Sequence, residues 1–582
     1  MFSEIIQISQ KIENKKLQKL HLFKGQLFQG RIIKFFPNNI ASLQLGNRTV
    51  TAKLEAPLSA GQKYWLEVVR ADGIPQLKIL DHNALRQGGQ QSQVQILHQL
   101  GIQSNRVNDL LIRHFATQQI PFTKEIFQNG AQLLQQIGLI NEEGLKVLSI
   151  LLQKNFPLTQ DSFQAIREIS RSQRPLLHHL NDLLVELQKI EKEYPSLHVH
   201  INRIQAVIKE TQLPEGKHPF IQLLHLASSN VVTRDVNEGA TQLLHRLGII
   251  DANGNTNQLF STFKGQLGDL ANQHTINKLW PSVLPKDIPI NTVDGKTLFQ
   301  LLFPRLGQPF TKVEQQQQLQ LMLQLFMFNN THIRKTENIF FNLQLASQDL
   351  SSQERVALTN LWNQSVLNER TSDRSTLTNQ MLRIITGLGY LQEREIGQLL
   401  QAQIINENSQ EDRLKRVLLQ LKQMELSQSI KDKVDLLLNR ITGQQLIAQE
   451  QQGPLQHTTL QIPLQLGEWQ TDLSVQWEGK RDEEGKIDSD HCRILFYLNL
   501  EQLKETIVDV QIQNRIISVQ VLNEHERPNL IVTALQPLLK KKLSGLGFTL
   551  SNVKWVRFKE QQFTAQKAYT QRNGYEGVDM RI

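Results

Sequence analysis

The chain is 582 residues long, with a formal net charge of +9 and a pI near 9.3. At about 100 to 200 residues per domain, that length points to three to five units rather than one. Hydrophobic residues make up 39%, charged residues 20% and aromatic residues 6%, which excludes collagen and a wholly disordered chain and leaves folded helical and mixed domains. Gln is the compositional outlier at 73 residues; it forms helices well and covers surfaces without adding charge.

A single cysteine, Cys492, excludes an intramolecular disulfide framework and any zinc site built on several thiolates. The expected setting is a reducing cytoplasm. The opening Met1-Phe2-Ser3-Glu4 leads into Lys11, Lys15, Lys16 and Lys19 among polar residues, which is not the pattern of a cleavable signal. The densest apolar run, Leu319 to Phe328, is interrupted by Gln and falls short of the ~18 to 20 residues that cross a bilayer. Export of such a chain would need another route. Through residue 82 there are 12 Lys+Arg against 6 Asp+Glu, and from residue 454 onward 16 against 16, so the basic excess sits at the front.

Residues 1–21 are expected to form a helical segment, and residues 22–82 a small β-barrel. Strands are expected at Leu27 to Phe36, Ile40 to Leu45, Arg48 to Glu55, Lys63 to Arg70 and Gln76 to Leu80, with turn residues in the gaps. Val50, Ala52 and Leu54 alternate with Thr49, Thr51 and Lys53, the period of a half-buried strand. Five short strands suit a closed barrel, which can serve as an interaction module or can bind oligonucleotides by stacking bases on aromatics. Phe35, Phe36, Tyr64 and Trp65 are the aromatics for that role. In each pair the neighbours alternate sides, so one of each is expected in the core.

A linker at 83–95, rich in Gln and Gly, precedes helical periodicity over 96–278. Within it Ile120-Pro121-Phe122-Thr123-Lys124-Glu125 recurs as Phe156-Pro157-Leu158-Thr159-Gln160-Asp161, placing Thr123 and Thr159 as helix N-caps with an acid in the first turn. Leu176, Leu177, Leu180, Leu183 and Leu184 form an apolar stripe. Pro281, Pro285 and Pro289 mark a linker at 279–292, and a second helical region covers 293–446. Its clearest helices are Glu314 to Phe328 and Asp412 to Leu438. Leu414, Val417, Leu418, Leu421, Met424, Leu426 and Ile430 read as a coiled-coil-like seam, filled by intramolecular packing or by a partner helix. A further linker covers 447–457.

No catalytic, cofactor or metal constellation emerges. There is no P-loop, and Gly387-Leu388-Gly389 and Gly545-Leu546-Gly547 read as helix ends rather than dinucleotide loops. His178, His179, His198 and His200 lack the partners that complete a metal site. His491 and Cys492, neighbours on a strand, face opposite ways, so Cys492 reads as a core residue. The expectation is a non-enzymatic protein.

From 458 the period returns to two: Leu460, Ile462 and Leu464, then Leu473, Val475 and Trp477, a charged loop from Glu478 to Asp490, and a strand from Arg493 to Leu500. Strands around Val508 to Ile512 and Ile517 to Val521 follow, then a helix through Leu543 ending at Gly545, and a strand from Phe548 to Phe558. The expected class is multidomain α+β: an N-terminal barrel, a large all-α middle, and a C-terminal antiparallel sheet with one helix at 458–558, followed by a tail at 559–582.

The order over residues 491 to 557, with a helix ending Leu-Lys-Lys-Lys-Leu-Ser-Gly-Leu-Gly, resembles the C-terminal domain of bacterial flagellar hook-length control proteins. The barrel, through Gly25-Gln26, Gly30-Arg31 and Thr51 to Leu58, looks like the N-terminal module of related Bacillus-type proteins carrying that domain. The resemblance implies docking on the cytoplasmic domain of a flagellar type III export-gate protein. It places contacts at Leu500, Glu501, Gln502, Leu503 and Lys504, and at Lys540, Lys541 and Lys542. The family's Pro-any-any-Leu-Gly loop is here Leu500-Glu501-Gln502-Leu503-Lys504, in which only Leu503 matches, so the loop lacks the residues that would fix its backbone. The competing readings are a nucleic-acid-associated protein using the basic barrel and a general cytoplasmic scaffold.

Overall fold

The computed structural model describes residues 22–45, 48–55, 58–80, 90–171, 174–212, 219–251, 253–272, 292–305, 320–326, 350–365, 374–390, 413–448, 455–466, 469–481 and 487–557. The expected helix at 1–21, the linker prolines 281, 285 and 289, and the tail from 559 lie outside these residues. So do residues 314–319 and 327–328 of the expected helix from Glu314 to Phe328.

Strands β1 (Leu27–Phe36), β2 (Ile40–Leu45), β3 (Arg48–Leu54), β4 (Lys63–Arg70) and β5 (Gln76–Ile79) close into a barrel in the order β1-β2-β3-β5-β4. Only β3 and β5 pair in parallel. The period-two pattern does what it suggests: Ala41, Leu43, Val50, Ala52, Leu54, Leu66, Val68 and Leu77 fill the inside. The aromatic pairs depart from expectation. Tyr64 and Trp65 are both buried, while Phe35 and Phe36 are both exposed. Tyr64 fills the barrel, whereas Trp65 points outward and is covered by helices. A register shift between Ile32 and Lys34 takes the end of β1 out of strict alternation, so Ile33, Phe35 and Phe36 all meet solvent.

Helices α1 (Gln90–Gln99), α2 (Arg106–Gln118), α3 (Lys124–Ile137), α4 (Glu142–Gln153) and α5 (Gln160–Arg171) follow. α1 starts inside the stretch read as linker. Thr123 Oγ accepts from the Ile126 N–H and Thr159 Oγ from the Ser162 N–H, both at 3.2 Å, so the two copies of the repeat start helices as their sequence dictates. Phe115, Phe122 and Phe127 cluster with Leu27 and Trp65 of the barrel. The Leu27 and Phe122 backbones also exchange hydrogen bonds at 2.7 and 3.0 Å, so the outer β1–β4 surface of the barrel is sealed against the first helices.

A second core gathers α6 (Leu176–Ile190) and α7 (Leu197–Glu210) with helices much later in the chain. Between them, α8 (Pro219–Ser228), α9 (Arg234–Arg246), α10 (Thr256–Asn272), α11 (Gly295–Leu302), residues 320–326 and α12 (Ser352–Ser365) build a third core of their own around Phe260, Phe263, Phe299 and Phe326. Ser351 and Glu354 form a capping box at the start of α12: the Ser351 N–H donates to Glu354 and the Glu354 N–H to the Ser351 hydroxyl. Arg246 of α9 then clamps Glu354 through two hydrogen bonds of 2.8 and 2.9 Å.

The chain re-enters the second core through α13 (Arg374–Leu388), α14 (Leu414–Gln423) and α15 (Gln428–Ala448). The single helix expected from Asp412 to Leu438 is two. Met424 turns extended, and the Ser427 carbonyl accepts from the Ile430 and Lys431 N–H groups as the next helix begins. The break lets α14 fold back on α15, burying Leu414, Val417, Leu418, Leu421, Leu426 and Ile430 within the chain. α15 then crosses α5 at Gly443, where a Cβ would overlap the Ala165 carbonyl and the Ile169 side chain. Gly389 closes α13 at φ 84°, in the helix-end role its sequence suggested.

Strands β6 (Leu455–Leu466), β7 (Trp469–Arg481), β8 (Ile487–Leu500), β9 (Lys504–Gln513), β10 (Ile516–Asn523) and β11 (Thr549–Arg557) form one sheet in the order β11-β10-β9-β8-β7-β6. Helix α16 (Asn529–Gly545) links β10 to the parallel β11. β7 runs on to Arg481 and β8 starts at Ile487, so both ends of the charged loop expected from Glu478 to Asp490 are strand, and its residues 482–486 lie outside the described residues. The two halves of the sheet have different neighbours. Ile462, Leu464 and Leu473 of β6 and β7 belong to the second helical core, and Leu495 and Tyr497 of β8 pack with Ile169. Ile512, Ile517, Val519 and Leu550 form a separate core with Leu543 of α16.

The bond between body and sheet is a buried polar cluster. Helix α6 begins after Pro175 with no side-chain cap from its own segment. Its Leu176 N–H donates instead to both oxygens of Asp472, 3.2 and 3.1 Å away and 296 residues on. Arg440 of α15 donates to Asp472 at 2.6 Å and to the Arg174 carbonyl at 2.7 Å, and Gln461 of β6 also reaches Asp472. The Arg440 and Asp472 side chains are 5% and 10% exposed. Burial pushes the Asp472 carboxyl up, and Arg440 with the helix N–H opposes the rise. Nearby, burial and then Arg440 hold His179 down to about 4, so its ring is neutral at pH 7.

Removing one member leaves the other charged group buried alone. Arg440→Met is expected to cost about 3 to 5 kcal/mol in urea unfolding, and Arg440→Met with Asp472→Leu to recover most of that loss. A single substitution costing under about 1 kcal/mol, the range of exposed pairs, would mean that the cluster does not hold the two parts together.

Candidate partner-binding site

The segment Leu500 to Lys504 is the hairpin between β8 and β9. Leu500 pairs with Lys504, leaving Glu501, Gln502 and Leu503 as a three-residue turn. Lys504 takes the left-handed conformation at φ 54°, the position that closes this class of hairpin and that glycine would fill without strain. The turn has no proline or glycine, and its shape comes from neighbours instead. Asn523, fully buried at the end of β10, donates to the Leu503 carbonyl at 2.8 Å, the Glu505 carbonyl at 3.0 Å and Thr506 Oγ at 2.8 Å. Its own amide oxygen accepts from the His525 N–H at 2.8 Å.

On the other side, the Lys504 ammonium lies 5.7 Å from the centre of the Trp469 ring. The Trp469 indole N–H donates to the Asn499 carbonyl at 2.7 Å. Glu501, Gln502 and Lys504 remain exposed above this frame, with Leu503 half-buried. The arrangement is a solvent-facing tip of mixed charge, held from beneath by Asn523 and flanked by Trp469.

Lys540, Lys541 and Lys542 are exposed near the end of α16. That end meets the β9–β10 turn, because Thr549, just beyond the helix, pairs with Ile516. The ten residues of β9 separate the two ends of the sheet, roughly 30 Å of strand. The structure therefore does not bring the lysines to the hairpin; a single small partner surface cannot touch both. Around the lysine end, Arg515 pairs with Asp490 at 3.3 Å and lies over the Phe548 ring.

The remaining sequence candidates occupy structural positions. His491 bonds Asp488 and Asn514, both at 2.8 Å, and these two acceptors raise its pKa. Cys492 sits in the α16 core with its thiol pushed up by burial. His198 pairs with Glu191 at 2.7 Å and His200 with the Ser196 carbonyl. Among the described residues no group of three or more His, Cys, Asp or Glu could hold a metal, and no helix is long and apolar enough to cross a membrane. Sequence reasoning missed Asn523 and Trp469. Nothing in their local pattern distinguishes them from strand-end residues.

If Asn523 shapes the hairpin, Asn523→Ala is expected to leave two carbonyls short of a donor. It should then cost about 1 to 3 kcal/mol and speed amide exchange at Glu501 to Lys504 above that of β9. Unchanged exchange at those four amides would contradict the assignment.

Over 144 residues the chain is 30% identical to a Bacillus subtilis (strain 168) protein described as uncharacterized protein YlqG, a stretch covering 25% of this chain and 24% of that relative. The chain thus matches about a quarter of the relative's length. No family model matches the sequence, and no solved structure matches it.

Proposed function

We propose that the chain is a non-enzymatic docking protein related to flagellar hook-length control, acting on the cytoplasmic domain of a flagellar type III export-gate protein. The observation that carries this reading is the unit β8–turn–β9–β10–α16–β11. It reproduces the element order of the segment, residues 491 to 557, whose sequence resembles that family's C-terminal domain. The tip between β8 and β9, where the family has its loop, is exposed and framed by Asn523 and Trp469.

A tip held from beneath suits recognition because less loop entropy is lost on binding. To influence export specificity, docking must also discriminate between gate states. A ligand with equal affinity for two conformations shifts neither, and a hundredfold preference corresponds to about 2.7 kcal/mol. The anchored half of the sheet would carry the helical body to the gate as one piece with the tip.

The test is calorimetric titration of the full chain with the cytoplasmic domain of the cognate gate protein. The full chain is required because Ile462, Leu464 and Leu473 share a core with the helical body, so residues 454–582 alone would expose it. Saturable binding is expected, weakened at least about tenfold by Glu501→Arg with Gln502→Arg and Leu503→Ala, and little changed by Lys540→Glu with Lys541→Glu and Lys542→Glu. No binding at high protein concentration would leave a shared fold without the shared function.

A further inference from the structure

The barrel has one covered side and one open side. Strand order β1-β2-β3-β5-β4, closed by β1 on β4 and with β3 parallel to β5, is the topology of the oligonucleotide- and oligosaccharide-binding barrel. In that fold the ligand face is the outer surface of strands 2 and 3, flanked by the loops after strands 1 and 4. Here the helices seal the β1–β4 side through Leu27 and Trp65. Among the described residues nothing seals the β2–β3 face: Gln44, Thr49, Thr51 and Lys53 are exposed, with Ile40 and Ser42 half-buried.

The register gives the composition of that face. Phe36 pairs with Ile40, which pairs with Lys53, and Lys34 pairs with Ser42, which pairs with Thr51. Two rows therefore cross the three strands, one with a phenyl ring and a lysine, the other with a lysine and two hydroxyls. Lys34, Phe36, Thr51 and Lys53 are exposed, and Phe36 is 42% exposed. The Lys34 ammonium lies 5.5 Å from the centre of the Phe36 ring. Asn38 and Asn39, at φ 63° and 58°, make the tight hairpin that holds Phe36 at the rim. Across the same rim the loop after β4 presents Ile74 at 54% exposure. Residues 22–80 carry eight Lys+Arg against three Asp+Glu, so this module holds more than half of the chain's net charge.

We propose that the open β2–β3 face binds single-stranded nucleic acid. A single strand supplies both things the face is built to meet: a flat base for Phe36 at the rim, and backbone phosphates for Lys34 and Lys53, which stand about 12 Å apart on the diagonal across two strand spacings. The serine and threonine hydroxyls between them are phosphate and sugar donors. An oligosaccharide would leave the positive charge unused, and an acidic peptide would leave the ring unused. A duplex keeps its base faces stacked away from Phe36. The docking tip between β8 and β9 lies on a different module, so this inference stands or falls apart from the proposed export role.

The experiment is fluorescence anisotropy of the full chain with labelled oligothymidylate and oligouridylate of about 20 nucleotides, from roughly 50 to 200 mM salt. Binding that weakens steeply with salt is expected. Phe36→Ala should weaken it about tenfold, and Lys34→Gln with Lys53→Gln should lower the slope of log K against log salt by about 1.4. All three side chains are exposed, so these variants are expected to fold, as circular dichroism would verify. No binding at low salt, binding unchanged by both variants, or equal affinity for duplex DNA would overturn the proposal. Binding of phosphatidylserine vesicles without binding of either oligonucleotide would also overturn it and assign the face to a lipid surface.

Discussion

The carboxylate of Asp472 is the point on which the larger part of the molecule converges. It caps the start of α6, neutralises Arg440 of α15 and accepts from Gln461 of β6, and it belongs itself to β7. A buried charge of this kind is costly unless every partner is in place, so the cluster imposes one geometry on four elements. Hydrophobic contact alone would be less exacting: Leu, Ile and Val tolerate shifts that a guanidinium and a carboxylate at 2.6 Å do not. The cluster therefore fixes how the sheet seats on the helices, while the surrounding leucines supply most of the burial energy.

That seating divides the sheet by role. β6, β7 and one face of β8 are part of the body, packed against α6, α15 and Ile169. β9 to β11 with α16 form a smaller core of their own, with α16 also touching α12, and the β8–β9 tip stands at one end of this outer half. At the other extremity of the chain the barrel is treated in the same manner, with its β1–β4 side sealed by helices and its β2–β3 side open. Among the described residues each of these modules is thus packed against helices on one side, and the two proposed binding surfaces lie on different modules.

Much of this was legible in the residues. Alternation at Val50, Ala52 and Leu54 located a barrel strand, Thr123 and Thr159 located helix starts, and Gly545 located the end of α16. The failures have a common physical cause, since each was decided by a distant segment. Trp65 is buried because Phe122, bridged to Leu27 just ahead of α3, and the neighbouring helices cover the outside of the barrel, which alternation within one strand cannot report. The break after Gln423 carries neither proline nor glycine; it exists because α14 gains a core by folding back on α15. The position of the β8–β9 tip followed from resemblance, but its supports Asn523 and Trp469 did not. The absence of proline and glycine suggested an unshaped loop, whereas a buried amide shapes it from another strand.

The central claim is that the helical body and the inner half of the sheet are one cooperative unit. Native-state hydrogen exchange under increasing denaturant tests it most directly. Amides of β6 and β7 and of α6 and α15 are expected to share one opening free energy, with β11 and α16 opening at lower cost. Exchange of β6 and β7 through a separate opening, while α6 and α15 stay protected, would contradict the account and make the whole sheet an independent domain.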